Sequence, residues 1–148
     1  MNSGRIWSRK TVVAILAAVG LLTTAVNSVA DTPPELGFGH LRGNRYDVSL
    51  REMRDMAAVK ARLGVPTTLA SCHTALVSGY VIEGHVPAAA VHRLLKEKRR
   101  IAGLAVPGMP PGPPGMEGTR RDPYDILAFD RLGVVTVYET VRPAFVSG

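Results

Sequence analysis

Two β-rich runs, Leu69 to Val77 and Tyr80 to Val86, are separated only by Ser78-Gly79. A dipeptide of this kind between such runs predicts a two-residue hairpin, because the tight turns that match strand twist need positive φ, which glycine adopts freely. The turn also sets a register. With Val77 facing Tyr80, Cys72 falls opposite His85. Directly opposed residues hold their Cβ atoms about 4.5–5.5 Å apart on one face, within reach of a shared metal ion. His73 then faces Gly84, and strand alternation sends its side chain to the other side of the sheet. A slip of one residue would separate Cys72 from His85.

The register matters because Cys72 is the sole cysteine of the chain and His85 is one of four histidines. Downstream, Pro107-Gly108-Met109-Pro110 and Pro114-Gly115-Met116-Glu117 add two methionines bracketed by Pro and Gly, with little regular structure to pack within. Thiolate, imidazole and thioether are the donors that Cu(I) selects, whereas structural zinc sites take four N or S ligands. Cys72, His85, Met109 and Met116 are therefore the candidate ligands, and copper as Cu(I) is the expected ion. His40 and His92 read as surface or capping residues. No nucleophile with a base at fixed spacing, phosphate loop or supported carboxylate pair is visible, so hydrolytic catalysis has little support.

Arg5, Arg9 and Lys10 precede an apolar run from Thr11 to Ala25, and Ser28-Val29-Ala30 supplies small residues for a signal peptidase. This pattern predicts an export signal over residues 1–30, cleaved before Asp31, and a periplasmic protein. The run is short against the roughly 20 apolar residues of a membrane span, so membrane attachment is expected only if the signal stays uncleaved. Net charge falls from +6 for the whole chain once those three cations leave. With few aromatics and no long basic stripe, nucleic-acid binding gains no support. A single cysteine in an oxidising compartment forms no internal disulfide, which leaves it as a ligand, a reactive thiol or an inert core residue.

The rest of the mature chain is enough for one domain over residues 45–140, preceded by an irregular segment, 31–44, and followed by a tail, 141–148. A helical turn is expected near Phe38 to Arg42 and a half-buried strand over about residues 45–51. Asp55 caps a helix whose face is Met56, Val59 and Leu63 and which ends at Gly64 and Pro66. Pro87 opens a second helix with Ala88, Val91, Leu94 and Leu95 inward, running to about Arg100. Ile101 to Gly118 reads as an extended loop, and Asp125 to Phe129 with Val134 to Tyr138 as a second hairpin turning through Asp130 to Gly133.

The runs Leu63-Gly64-Val65-Pro66, Ser71-Cys72-His73-Thr74-Ala75, Gly79-Tyr80-Val81-Ile82-Glu83-Gly84-His85-Val86-Pro87-Ala88, Gly103 to Pro110, Pro114 to Glu117 and Pro123-Tyr124-Asp125 closely resemble the CopG-like proteins. These form domain-of-unknown-function family 411, described as periplasmic metal-binding or copper-resistance proteins, and the resemblance spans about residues 40–139. It implies an α/β, thioredoxin-like fold with an extra Pro/Gly-rich loop and a C-terminal hairpin. It also implies a Cys-x-Cys-Cys motif near the start of the domain, where this chain has Asp31-Thr32-Pro33-Pro34. The first strand is expected to be missing, its place taken by the signal. What carries over is Cys72, His73, His85, Met109 and Met116, which implies a mononuclear Cu(I) site and exchange with other periplasmic copper-handling proteins. A degenerate scaffold without metal and a single-thiol redox partner are the alternative readings.

Overall fold

A computed structural model of the chain describes residues 11–17, 39–44, 46–108, 110–114 and 122–142. Among them the β-branched run Thr11-Val12-Val13 leads into β1 (Thr11–Ala17), and its continuous apolarity suits an interior strand. It lies parallel to β2 (Asp47–Met53) and antiparallel to β3 (His73–Val77). The expectation of a missing first strand is thereby corrected: the apolar core of the presumed signal forms a strand inside the sheet. β4 (Tyr80–Glu83) completes the expected hairpin with β3, with Val77 paired to Tyr80 and Thr74 to Glu83. Ser78 and Gly79 both take positive φ, 50° and 87°, as the turn requires.

β5 (Gly103–Ala105) runs parallel to β4, a short strand within the segment expected to be loop throughout. β6 (Tyr124–Phe129) and β7 (Val135–Val141) form the second hairpin, so the seven-stranded mixed sheet has the order β2-β1-β3-β4-β5-β6-β7. The Asp130 carboxylate closes its turn by accepting from the Leu132 and Val134 amides at 2.8 and 2.9 Å.

Among the described residues three helices pack on this sheet. α1 (Gly39–Gly43) is the short turn expected there. α2 (Met56–Arg62) begins at Asp55, whose side chain accepts the Ala58 amide at 2.9 Å, and gives way to Gly64 at φ 73°. The chain then makes a 3₁₀ turn, Thr67–Leu69, instead of entering the strand at Leu69. α3 (Ala88–Glu97) stops before Arg100, because Lys98 turns left-handed at φ 51° and donates its amide to Leu94.

One face of the sheet buries Leu41 of α1 and Ala88, Val91 and Leu94 of α3 against Ala75, Val77, Ile82 and Leu104. On the other, Val65 and Leu69 from the α2–β3 connection pack with Val81, Ala105 and Phe129. Full burial of each such side chain contributes about 1.5–3 kcal/mol, so the β3–β4 hairpin is held from both sides. Among the described residues, no helix is long and apolar enough to cross a membrane.

Candidate metal centre

The site forms where the β3–β4 ladder ends. β4 stops at Glu83, and Gly84 turns the chain at φ 70°, donating its amide to His73 O while the Val86 amide returns to Gly84 O. A side chain at position 84 has no room, since a Cβ there would lie 2.5 Å from Val106 O and 2.6 Å from Ser71 Oγ. Glycine is thus required twice, by conformation and by close approach.

This turn brings together three donors. Cys72 Sγ lies 3.3 Å from His85 Nε2, the neighbour expected of it, although the ladder pairs only as far as Thr74 with Glu83, and 3.1 Å from His73 Nδ1. The two imidazoles meet edge to face with ring centroids 4.7 Å apart. One donor atom from each of Cys72, His73 and His85 lies within 4.8 Å of the others. His73 therefore does not point away. Strand alternation fails here because His85 follows a left-handed glycine and has left the pleat, so the two histidines converge on one thiol. Cys72 is exposed, whereas His73 and His85 are buried.

The hydrogen bonds assign the nitrogens. His85 Nδ1 is 2.8 Å from the carbonyl of Pro114, an acceptor only, so Nδ1 carries the proton and donates. With Nδ1 committed to Pro114, Nε2 is the nitrogen that faces Cys72 and is left to ligate an ion, the arrangement in which a carbonyl behind the ring orients a ligating histidine. Ser71 Oγ donates to Gly108 O at 2.9 Å. Both bonds tie the Pro/Gly-rich loop to the site. Met109 and Met116 lie outside the described residues, as does the segment Asp31 to Pro34.

Burial by itself would push the Cys72 thiol up. The hydrogen bonds and charges of His73 and His85 outweigh it and bring the thiol down to about 5. At neutral pH Cys72 is accordingly a thiolate, the form that binds soft metals. One thiolate and two imidazoles at this spacing fit two- or three-coordinate Cu(I) and fall one ligand short of a closed structural zinc site.

Beneath the site lies a polar network that the hairpin pattern does not announce. Glu83, fully buried, is ion-paired with buried Lys60 of α2. Glu83 Oε2 accepts from Thr74 Oγ1 at 2.6 Å, Glu83 Oε1 accepts from the Ser71 amide at 2.6 Å, and Lys60 Nζ donates to Thr74 Oγ1 at 2.8 Å. A sequence signal exists for both charges: Lys60 stands four residues after Met56 and three before Leu63 on the apolar helix face, and Glu83 interrupts an apolar strand.

The family described as "Protein of unknown function, DUF411" matches residues 69–116, which span the hairpin, α3 and the Pro/Gly-rich loop. Two solved structures are similar over nearly the whole fold. "Copper resistance protein copG- Form 2" is 36% identical with a TM-score of 0.75, covering 90% of this chain and 99% of that one. "Copper resistance protein copG- Form 1" is 34% identical with a TM-score of 0.75, covering 91% and 99%. No curated protein matches the chain.

Proposed function

The chain belongs to the family of copper resistance protein copG and DUF411, and from that premise we propose that it binds one copper ion, as Cu(I), in copper resistance or homeostasis. Cys72 supplies a thiolate, His85 its Nε2 and His73 its Nδ1, and Met109 or Met116 adds a thioether from the loop. The observation that carries this reading is the convergence of Cys72, His73 and His85 donors within 4.8 Å of one another. Copper is here the cargo, so the residues' task is to hold and release it. A mononuclear site suits the chain because a copper cluster bridged by several thiolates is out of reach of its single cysteine.

We read the mixed α/β fold as a thioredoxin-like variant and the working compartment as the periplasm, where copper-handling proteins would deliver or receive the ion. Cleavage after Ala30 and use of Thr11–Ala17 as β1 exclude each other in one molecule. The N-terminal mass of the exported protein therefore reports which form works. The low thiol pKa supports a second reading, a single-thiol redox partner that forms a mixed disulfide with another protein.

The test is an anaerobic titration of the purified chain with Cu(I) against a competing chelator, beside Cys72→Ser. About one equivalent bound tightly and lost in the variant is the expected result. A folded chain that binds no Cu(I), yet forms mixed disulfides through Cys72, would replace this reading with the redox one.

A further inference from the structure

The hydrogen bonds and ion pair of Glu83 and Lys60 run to each other, to Thr74 and to the Ser71 amide, next to Cys72 and His73 in the chain, and both residues are almost completely withdrawn from water, at 0% and 9% exposure. A buried ion pair of this kind is a poor source of stability, because desolvating two charges offsets their attraction, and apolar replacements of similar volume are often neutral or better. Its use must be sought in what it holds. The β3 ladder begins at His73, so Ser71 and Cys72 precede it. The Ser71 amide points at Glu83 Oε1, the same oxygen that pairs with Lys60 of α2, while the other oxygen holds Thr74 of β3. One carboxylate thus joins α2, the chain just before Cys72 and β3, from a position two residues ahead of His85.

We infer that Glu83 is a positioning residue for the metal centre: its carboxylate anchors the Ser71 amide and so sets Cys72 Sγ against His73 and His85, with Lys60 and Thr74 holding the carboxylate in place. This rests on the reading of Cys72, His73 and His85 as copper ligands. It extends that reading from the ligands to the group that fixes their spacing, since outer partners of this sort typically govern metal affinity by about 10–100-fold.

Two double variants isolate the amide anchor from the charge. Glu83→Gln with Lys60→Met and Glu83→Leu with Lys60→Met both remove the buried pair, but only the first leaves an oxygen to accept the Ser71 amide. Cu(I) affinity is measured by chelator competition. The metal-free distance between the Cys72 β-protons and the His85 ring protons is followed by nuclear Overhauser effects, and folding is checked by circular dichroism. The glutamine pair should bind Cu(I) nearly as the intact chain does and keep the Cys72–His85 contact. The leucine pair should fold, bind about 10–100-fold more weakly and lose that contact. Equal affinity and an intact contact in the leucine pair would overturn the inference. Should the leucine pair not fold, Glu83→Asp, which keeps the charge and withdraws the oxygens by one methylene, carries the same expectation and the same refutation. If the intact chain binds no Cu(I), the copper reading alone fails, and the metal-free contact still decides the role of Glu83.

Discussion

The two hairpins of this protein are built alike and treated differently. β3–β4 has a neighbour on each side, β1 and β5, and every β4 residue after Tyr80 is buried. β6–β7 ends the sheet, and its outer strand and turn expose Leu132, Val134, Val135 and Val137. The candidate site sits on the first. A site needs donor atoms held within a few tenths of an ångström, which a strand packed on both faces and laced by buried hydrogen bonds supplies and an edge strand does not.

Removing β1 would erase the difference, by turning β3 into an edge. A chain beginning at Asp31 should therefore unfold at markedly lower urea concentration than the full chain, or dimerise through the freed edge of β3. Urea titration and sedimentation of the two forms check this. Equal stability would mean that β1 contributes nothing to the packed hairpin.

Within the intact fold, Ile82→Ala in β4 should cost about 2–5 kcal/mol, since Ile82 is buried among α3 and the neighbouring strands. The conformational restriction at Gly84 predicts a smaller but site-directed loss: Gly84→Ala should cost about 1–3 kcal/mol for its left-handed backbone alone, with displacement of Ser71 and weaker Cu(I) binding besides. Denaturation and chelator competition on each variant separate stability from affinity.

Cys72 marks the packed hairpin by its titration. Its ordinary value is near 9 and its folded value about 5, so between these limits the unfolded chain binds more protons and stability rises with pH. The contribution is fully present above about 9 and is lost as pH falls through about 5. Thiolate absorbance should titrate near 5 in the metal-free chain, and the stability advantage over Cys72→Ala should shrink on acidification. The smallest effect belongs to the far hairpin: Val137→Thr should shift stability by less than about 0.5 kcal/mol in the same denaturation assay, because Val137 is exposed.

Local signals were legible wherever one or two residues dictate geometry. Ser78-Gly79 named its turn, Asp55 named its cap, and the hairpin register placed Cys72 beside His85. Three features were not legible in this way. The apolar run at Thr11–Ala17 satisfies an export signal and an interior strand equally, since both ask for the same residues. β5 is three residues long and takes its strand character from pairing with β4 and β6. His73 was expected to point away from Cys72 and does not, because alternation extends only as far as the ladder, and Cys72 and His85 lie beyond its end.

The amino-acid sequence by itself determined the elements whose causes are local: turn, caps, amphipathic faces, and a thiol with an imidazole across a hairpin. Its family likeness pointed to copper. Tertiary structure alone decided how His73, which the family likeness had already included, reaches the thiol, that the Pro114 carbonyl fixes which nitrogen of His85 is presented, and that Lys60 and Glu83 meet beneath them. These depend on segments distant in the chain brought together by packing on both faces of the sheet. No periodicity encodes such a meeting, because the partners of a buried charge are chosen by the fold that excludes water around it.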